Sequence, residues 1–170
     1  MRLKILLFSC FNAFAYEELL PNEGYVVIKI IIKETLPESI KLKSNKFSGE
    51  NYTKSDLKEG DNFELIKLPA GEYHWSRLNE LNGRYFNLDE HKFSFKVVAG
   101  KINYGGHLLV DINTRFGTAN FDYVNRSSTV IDQLEGCCSE LLNSIPLIYT
   151  GTSVDPFIEF YQGISNKKGS

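Results

Sequence analysis

Leu68-Pro69-Ala70-Gly71-Glu72-Tyr73, followed some twenty residues later by Phe93-Ser94-Phe95-Lys96-Val97-Val98-Ala99-Gly100-Lys101-Ile102-Asn103-Tyr104-Gly105-Gly106, is the part of this chain that decides its fold class. In each stretch an apolar run meets a Pro or a Gly, and a Tyr answers beyond it. Pro presets φ for a turn, and Gly accepts the positive φ that a side chain resists. The first stretch therefore reads as a strand, 63–68, a turn at 69–71 and a returning strand, 72–78. In the second, Phe93, Phe95 and Val97 alternate with Lys92, Ser94 and Lys96, as on a strand with one buried face. Ala99-Gly100 turns it into a long run, 101–113, in which Gly105-Gly106 marks a bulge or a close backbone approach.

The rhythm continues on both sides. Upstream, Val26, Ile28, Ile30 and Ile32 share one face of a strand at 25–33, an apolar β-branched face that belongs in a core. The polar stretch 34–62 reads as a short strand near Ile40 to Lys43 and then a solvated loop. Asn82-Gly83 marks a tight turn, and 116–124 is a further strand carrying Phe121 and Tyr123. One segment breaks the pattern: Val130, Leu134, Cys137, Cys138, Leu141 and Leu142 recur at three- and four-residue spacing, as on the buried face of a helix. Pro146 follows its end. The chain closes with Leu147-Ile148-Tyr149 and an apolar stretch, 156–161. Short strands with frequent turns and no internal repeat predict one mainly β domain. The expected fold is an antiparallel β-sandwich, transthyretin- or Ig-like, with one C-terminal amphipathic helix at about 129–143.

The first fifteen residues read as an export signal. Arg2 and Lys4 precede the apolar run of Leu3 and Ile5-Leu6-Leu7-Phe8, and Ala13-Phe14-Ala15 suits signal peptidase. Lipid attachment at Cys10 is the rival, weakened by an apolar segment of about five residues, below the usual 7–15. Cleavage after Ala15 leaves residues 16–170 as a single domain and, with Arg2 and Lys4 gone, moves formal net charge from −2 to −4. That acidity argues against nucleic acid, which asks for a basic stripe, and no later segment is long and apolar enough to span a membrane. Of the cysteines left, Cys137 and Cys138 are adjacent and close almost no loop, so the core must hold the fold.

Leu68-Pro69-Ala70-Gly71-Glu72-Tyr73 resembles the L-P-x-G-x-Y turn of small exported bacterial β-sandwiches, the carboxypeptidase-regulatory-like (transthyretin-like) and PEGA domains. Phe95-x-Val97-x-x-Gly100-Lys101-x-x-Tyr104-x-Gly106 is similar to a strand pair of the uncharacterised DUF2846-type envelope proteins. The resemblance covers about residues 60–113. It implies a scaffold or binding module of the cell envelope, periplasmic or secreted, with no catalytic residue and no cofactor to carry over.

Candidate chemistry is sparse. His74, His91 and His107 are the only histidines, and a metal site would need His74 and His107 to meet across a sheet beside Asp89, Glu90 or Asp111. Cys137-Cys138 reads first as core packing, with a vicinal disulfide acting in redox chemistry as the alternative. Tyr73, Trp75, Arg84 and Tyr85 gather around one expected hairpin and suit a glycan or protein face where they are exposed. Three functions follow as expectations: an exported, non-enzymatic module binding an envelope protein or a glycan; a metal-assisted hydrolase using His74 and His107; and a secretion or surface-assembly accessory or inhibitor protein.

Overall fold

In the computed structural model of the chain the apolar run from Tyr25 to Ile32 lies in the organising strand. The structure describes residues 18–168 apart from Ser48 and Glu90, with the side chains of 164–168 left out. The expected signal segment 1–15, Cys10 within it, and Glu90 lie outside the described residues. Chain order is β1 (Glu23–Lys33), β2 (Ser39–Ser44), β3 (Tyr52–Lys54), β4 (Gly60–Pro69), β5 (Gly71–Asn79), β6 (Tyr85–Asn87), β7 (Ser94–Val97), β8 (Ile102–Tyr104), β9 (His107–Asn113), β10 (Thr118–Val124), α1 (Ser127–Ser144), β11 (Leu147–Tyr149) and α2 (Pro156–Lys168).

The fold is mainly β, with two sheets and two helices. In the first sheet β4 runs antiparallel to β1 from Glu23↔Pro69 to Ile32↔Gly60. On the other side of β1 lie β8 and then β9, both parallel to it. Beyond these, β11 pairs with β8 in parallel and β10 with β9 antiparallel. The second sheet is wholly antiparallel: β3, β2, β5, with β6 and β7 sharing the far side of β5. Val26, Ile28, Ile30 and Ile32 of β1 pack with Ile40, Leu42, Tyr73, Trp75 and Phe95 of the second sheet in one apolar core.

Four expectations need correction. The sheets are not all antiparallel, because β1 takes parallel neighbours. The Pro69–Gly71 turn does not close a hairpin: β4 belongs to the first sheet and β5 to the second. Gly71 accordingly is not among the positive-φ residues, whereas Gly100 is, at 68°. Both sequence motifs are thus crossings between sheets, and both are tied to the start of β1. The Ala70 amide donates to the Asn22 carbonyl at 2.7 Å and the Gly100 amide to the Glu23 carbonyl at 2.8 Å. Third, the chain has a second helix, α2, where an apolar stretch was expected to follow a single one. Finally, β1 is buried on both faces. Tyr25 and Val27 meet Val130, Ile131, Leu134 and Leu141 of α1 and Ile158 of α2 in a second core on the outer side of the first sheet.

The expected bulge at Gly105-Gly106 divides one long run into β8 and β9. A Cβ on Gly105 would lie 2.5 Å from the Phe95 ring and from Tyr123 Oη, and Gly106 has φ 137°. Only glycine allows the backbone this close to two rings and this left-handed. At that break the outer neighbour changes from β11 to β10.

Candidate functional site

The three strands β1, β5 and β9 finish at the same end of the two-sheet core, as the β1–β9 pair Lys33↔Asp111 and the β2–β5 pair Ser39↔Asn79 require. Three connections meet there: 34–38, 80–84 and 114–117. The 80–84 turn is held by its own polar groups. The Glu80 amide donates to the Arg84 carbonyl at 2.9 Å, and the Arg84 amide to Asn82 Oδ1 at 3.0 Å. Glu80 is buried, and Arg84 neutralises it, Nε to Oε2 at 2.9 Å. The Arg84 guanidinium also lies against Gly117, whose added Cβ would sit 3.2 Å from Nη1. Glu38 donates its amide to the Asn79 carbonyl at 2.8 Å, tying the 34–38 connection to the same place.

These turns present what a solvated loop ordinarily does not. Leu81 is 80 % exposed, Phe116 70 % and Tyr85 52 %, and Leu36 of the 34–38 connection is exposed as well. Arg77 stacks over the Tyr85 ring at 3.8 Å and Arg115 lies 5.6 Å from the Phe116 centroid. Aromatic residues and Arg, presented on a rigid frame, are the composition of energetic centres in protein interfaces. A preformed turn also loses little conformational freedom on binding.

The structure divides the four aromatic and basic candidates. Tyr85 and Arg84 belong to this surface. Tyr73 and Trp75 do not; they are 1 % and 2 % exposed and fill the core between the sheets. Burial drives the phenol of Tyr123, beside this core, well above its ordinary pKa. Sequence reasoning missed Leu36, Leu81, Arg115 and Phe116. The available signal was a large apolar residue placed inside a turn, beside Asn82-Gly83 and beside Gly117, where no strand can bury it.

The histidines do not converge. His74 alternates with core-facing Tyr73 and Trp75, so it points to the outer side of the second sheet, where Nδ1 lies 2.5 Å from Asn45 Oδ1. His107 alternates with core-facing Leu108 and points to the outer side of the first sheet, under α1. The whole two-sheet core separates them. Among the described residues no three His, Cys, Asp or Glu side chains group as metal ligands do. Asp89 instead accepts the His91 and Lys92 amides, which hold its carboxyl below the usual range.

His107 sits in a buried relay. The Arg126 amide donates to Tyr104 Oη at 2.8 Å, and the Thr129 hydroxyl donates to the Arg126 carbonyl at 2.9 Å. Thr129 Oγ1 therefore accepts from His107 Nε2 (3.1 Å), and Tyr104 donates to Nδ1 (2.6 Å). This order of donors requires a neutral imidazole protonated at Nε2. Burial first, then the Lys29 and Arg126 charges, push its pKa down to about 4, with Asp61 opposing. The relay fastens the start of α1 to the β8–β9 break. Beside it, Lys29 is buried on the same face of β1 and bonds Asp61 and Gln133 Oε1, the latter at 2.6 Å.

Cys137 and Cys138 are joined by a disulfide. Cys138 is buried, but Cys137 is exposed and not on the apolar stripe where periodicity put it. Comparison with known proteins returned no match: no family model, no curated protein and no solved structure resembles this chain significantly.

Proposed function

We propose that this protein is an exported, non-enzymatic binding or accessory module that engages an envelope protein, or a glycan, through the loop end of its β framework. The single observation that carries the reading is that Leu81, Tyr85 and Phe116 are exposed with Arg77, Arg84 and Arg115 on two turns, 80–84 and 114–117, and the adjoining ends of β5 and β6. Transthyretin- and Ig-like modules present loops from the end of a two-sheet core in the same manner. Export, periplasmic or to the outside, rests on the N-terminal pattern Arg2 to Ala15.

The test places a photo-crosslinking amino acid at Leu81, at Phe116 and, as a control, at Phe47, which is exposed in the 45–51 connection. In the source envelope, a discrete adduct from the first two positions and none from Phe47 supports the reading. Retention on a glycan surface that Tyr85→Ser abolishes assigns the sugar instead. Equal adducts from all three positions, with no glycan retention, refute it.

One observation favours the surface-assembly reading. Strand β4 runs beside β1 for its whole length and has no strand on its other side among the described residues. Such an edge accepts an added strand. A dominant adduct from position 67 would move the function there.

A further inference from the structure

Helix α1 contains a break that its sequence does not account for. Cys138 has φ −147° and ψ 33°, outside the helical range, while helix continues on both sides of it. No Pro lies within the helix, and Gly136, two residues ahead of the break, keeps helical φ/ψ. The cause is the bond between neighbours. On a regular helix successive side chains diverge by about 100°, so the Sγ atoms of an adjacent Cys pair cannot meet. Joining them requires one of the two residues to leave helical geometry, and Cys138 is the one that does.

The break stands between two docking points of α2. Ahead of it, Glu135 Oε1 accepts from Tyr161 Oη at 2.5 Å. Beyond it, Leu142 and Ser144 line a cleft of about 380 Å³ together with Leu147, Tyr161 and Gln162. Gln162 closes the floor by donating to the Leu147 carbonyl at 2.6 Å. The direction of the last turn of α1 therefore sets the shape of this cleft. Because Cys137 is exposed, a soluble thiol can reach the bond.

We infer that Cys137–Cys138 is a reversible thiol–disulfide exchange site whose state sets the end of α1 and the cleft against α2. The substrate class is a dithiol reductant. Its thiolate attacks Cys137 Sγ, and the S–S electron pair leaves on Cys138 Sγ, which takes a proton from water. The reductant's second thiolate then attacks the mixed disulfide. Cys137 leaves and is protonated, and the reductant departs as a disulfide, so two electrons and two protons have passed to the protein. With the ring opened, nothing holds Cys138 out of the helix that flanks it, and α1 runs straight through.

The experiment uses the full chain carrying Cys10→Ser, so that no third thiol exchanges, in buffers of graded reduced-to-oxidised dithiothreitol ratio. Acid quench, alkylation and peptide mass spectrometry read the fraction joined, and hydrogen exchange reads amides 138–144. The expected result is a single two-electron transition, with these amides exchanging on the order of tenfold more slowly in the reduced form. Cys137→Ser, which removes the bond by changing the exposed one of its two side chains, should show the slow pattern at every ratio. Two alkylated thiols even in fully oxidised buffer would overturn the inference, as would identical exchange of 138–144 in the two forms.

Discussion

Replacing His107 by Gln should erase a pH dependence of stability that the wild-type protein owes to one imidazole. In the folded chain His107 is neutral, donating through Nε2 to Thr129 and accepting from Tyr104 at Nδ1, with a pKa of about 4. In the unfolded chain it titrates near its ordinary value, about 6.5. Between those values the unfolded state binds a proton that the folded state does not. Stability from this group is therefore complete above about pH 6.5 and falls as the pH drops toward 4. At about 1.4 kcal/mol for each tenfold difference, the whole effect is about 3 kcal/mol, and about 2 kcal/mol of it is gone by pH 5. Gln in place of His107 retains a donor and an acceptor but does not titrate. At pH 7 the variant should lose about 1–3 kcal/mol, from imperfect partners for the Tyr104 and Thr129 hydroxyls. Urea unfolding at pH 7, 6 and 5 measures both proteins. His74, His91 and the carboxylates are common to the pair and cancel in the difference, which should shrink by about 2 kcal/mol between pH 7 and pH 5. A difference that stays constant over that range refutes the neutral, buried relay.

Three further expectations concern the core and its polar insertions. Trp75→Ala removes a ring that fills the space between the sheets and should cost about 3–5 kcal/mol, whereas Tyr85→Ala at the exposed end should stay within about 1 kcal/mol; similar melting shifts for the two would contradict the division between them. Asp61→Asn leaves the buried Lys29 ammonium without its countercharge and should cost about 3–5 kcal/mol, while Lys29→Met releases a half-exposed carboxylate to water and should be near neutral. Equal losses from those two variants, in denaturant titrations, would show that the pair does not act as a buried cation with a solvated partner. Gly105→Ala places a Cβ 2.5 Å from the Phe95 ring and should cost about 1–3 kcal/mol or more, and an unchanged melting temperature would mean that the backbone does not approach the ring so closely.

What could be read from residues alone was local. The period of two in Val26, Ile28, Ile30 and Ile32, and in Phe93, Phe95 and Val97, was enough to find strands and their inner faces, because side-chain alternation is a property of the strand itself. The spacing of Val130, Leu134 and Leu141 was enough to find α1 for the same reason. The second helix was not legible, since 156–168 has only a weak apolar stripe and rests on Ile158 and Tyr161 against α1 and β11.

Pairing is the part that tertiary structure decided. Whether Pro69–Gly71 closes a hairpin or carries the chain between sheets depends on what lies beside β4 and β5, and their partners, β1 and β2, are distant in sequence. The same long-range choice buried Trp75 and left Tyr85 exposed, although the two had looked like members of one aromatic group. It also kept His74 and His107 apart, and it brought Leu81 and Phe116 to a shared end. Composition and motif identified a mainly β chain. The exposed surface came only from the packing of the two sheets, because burial belongs to three-dimensional neighbours and a residue's own type does not specify them.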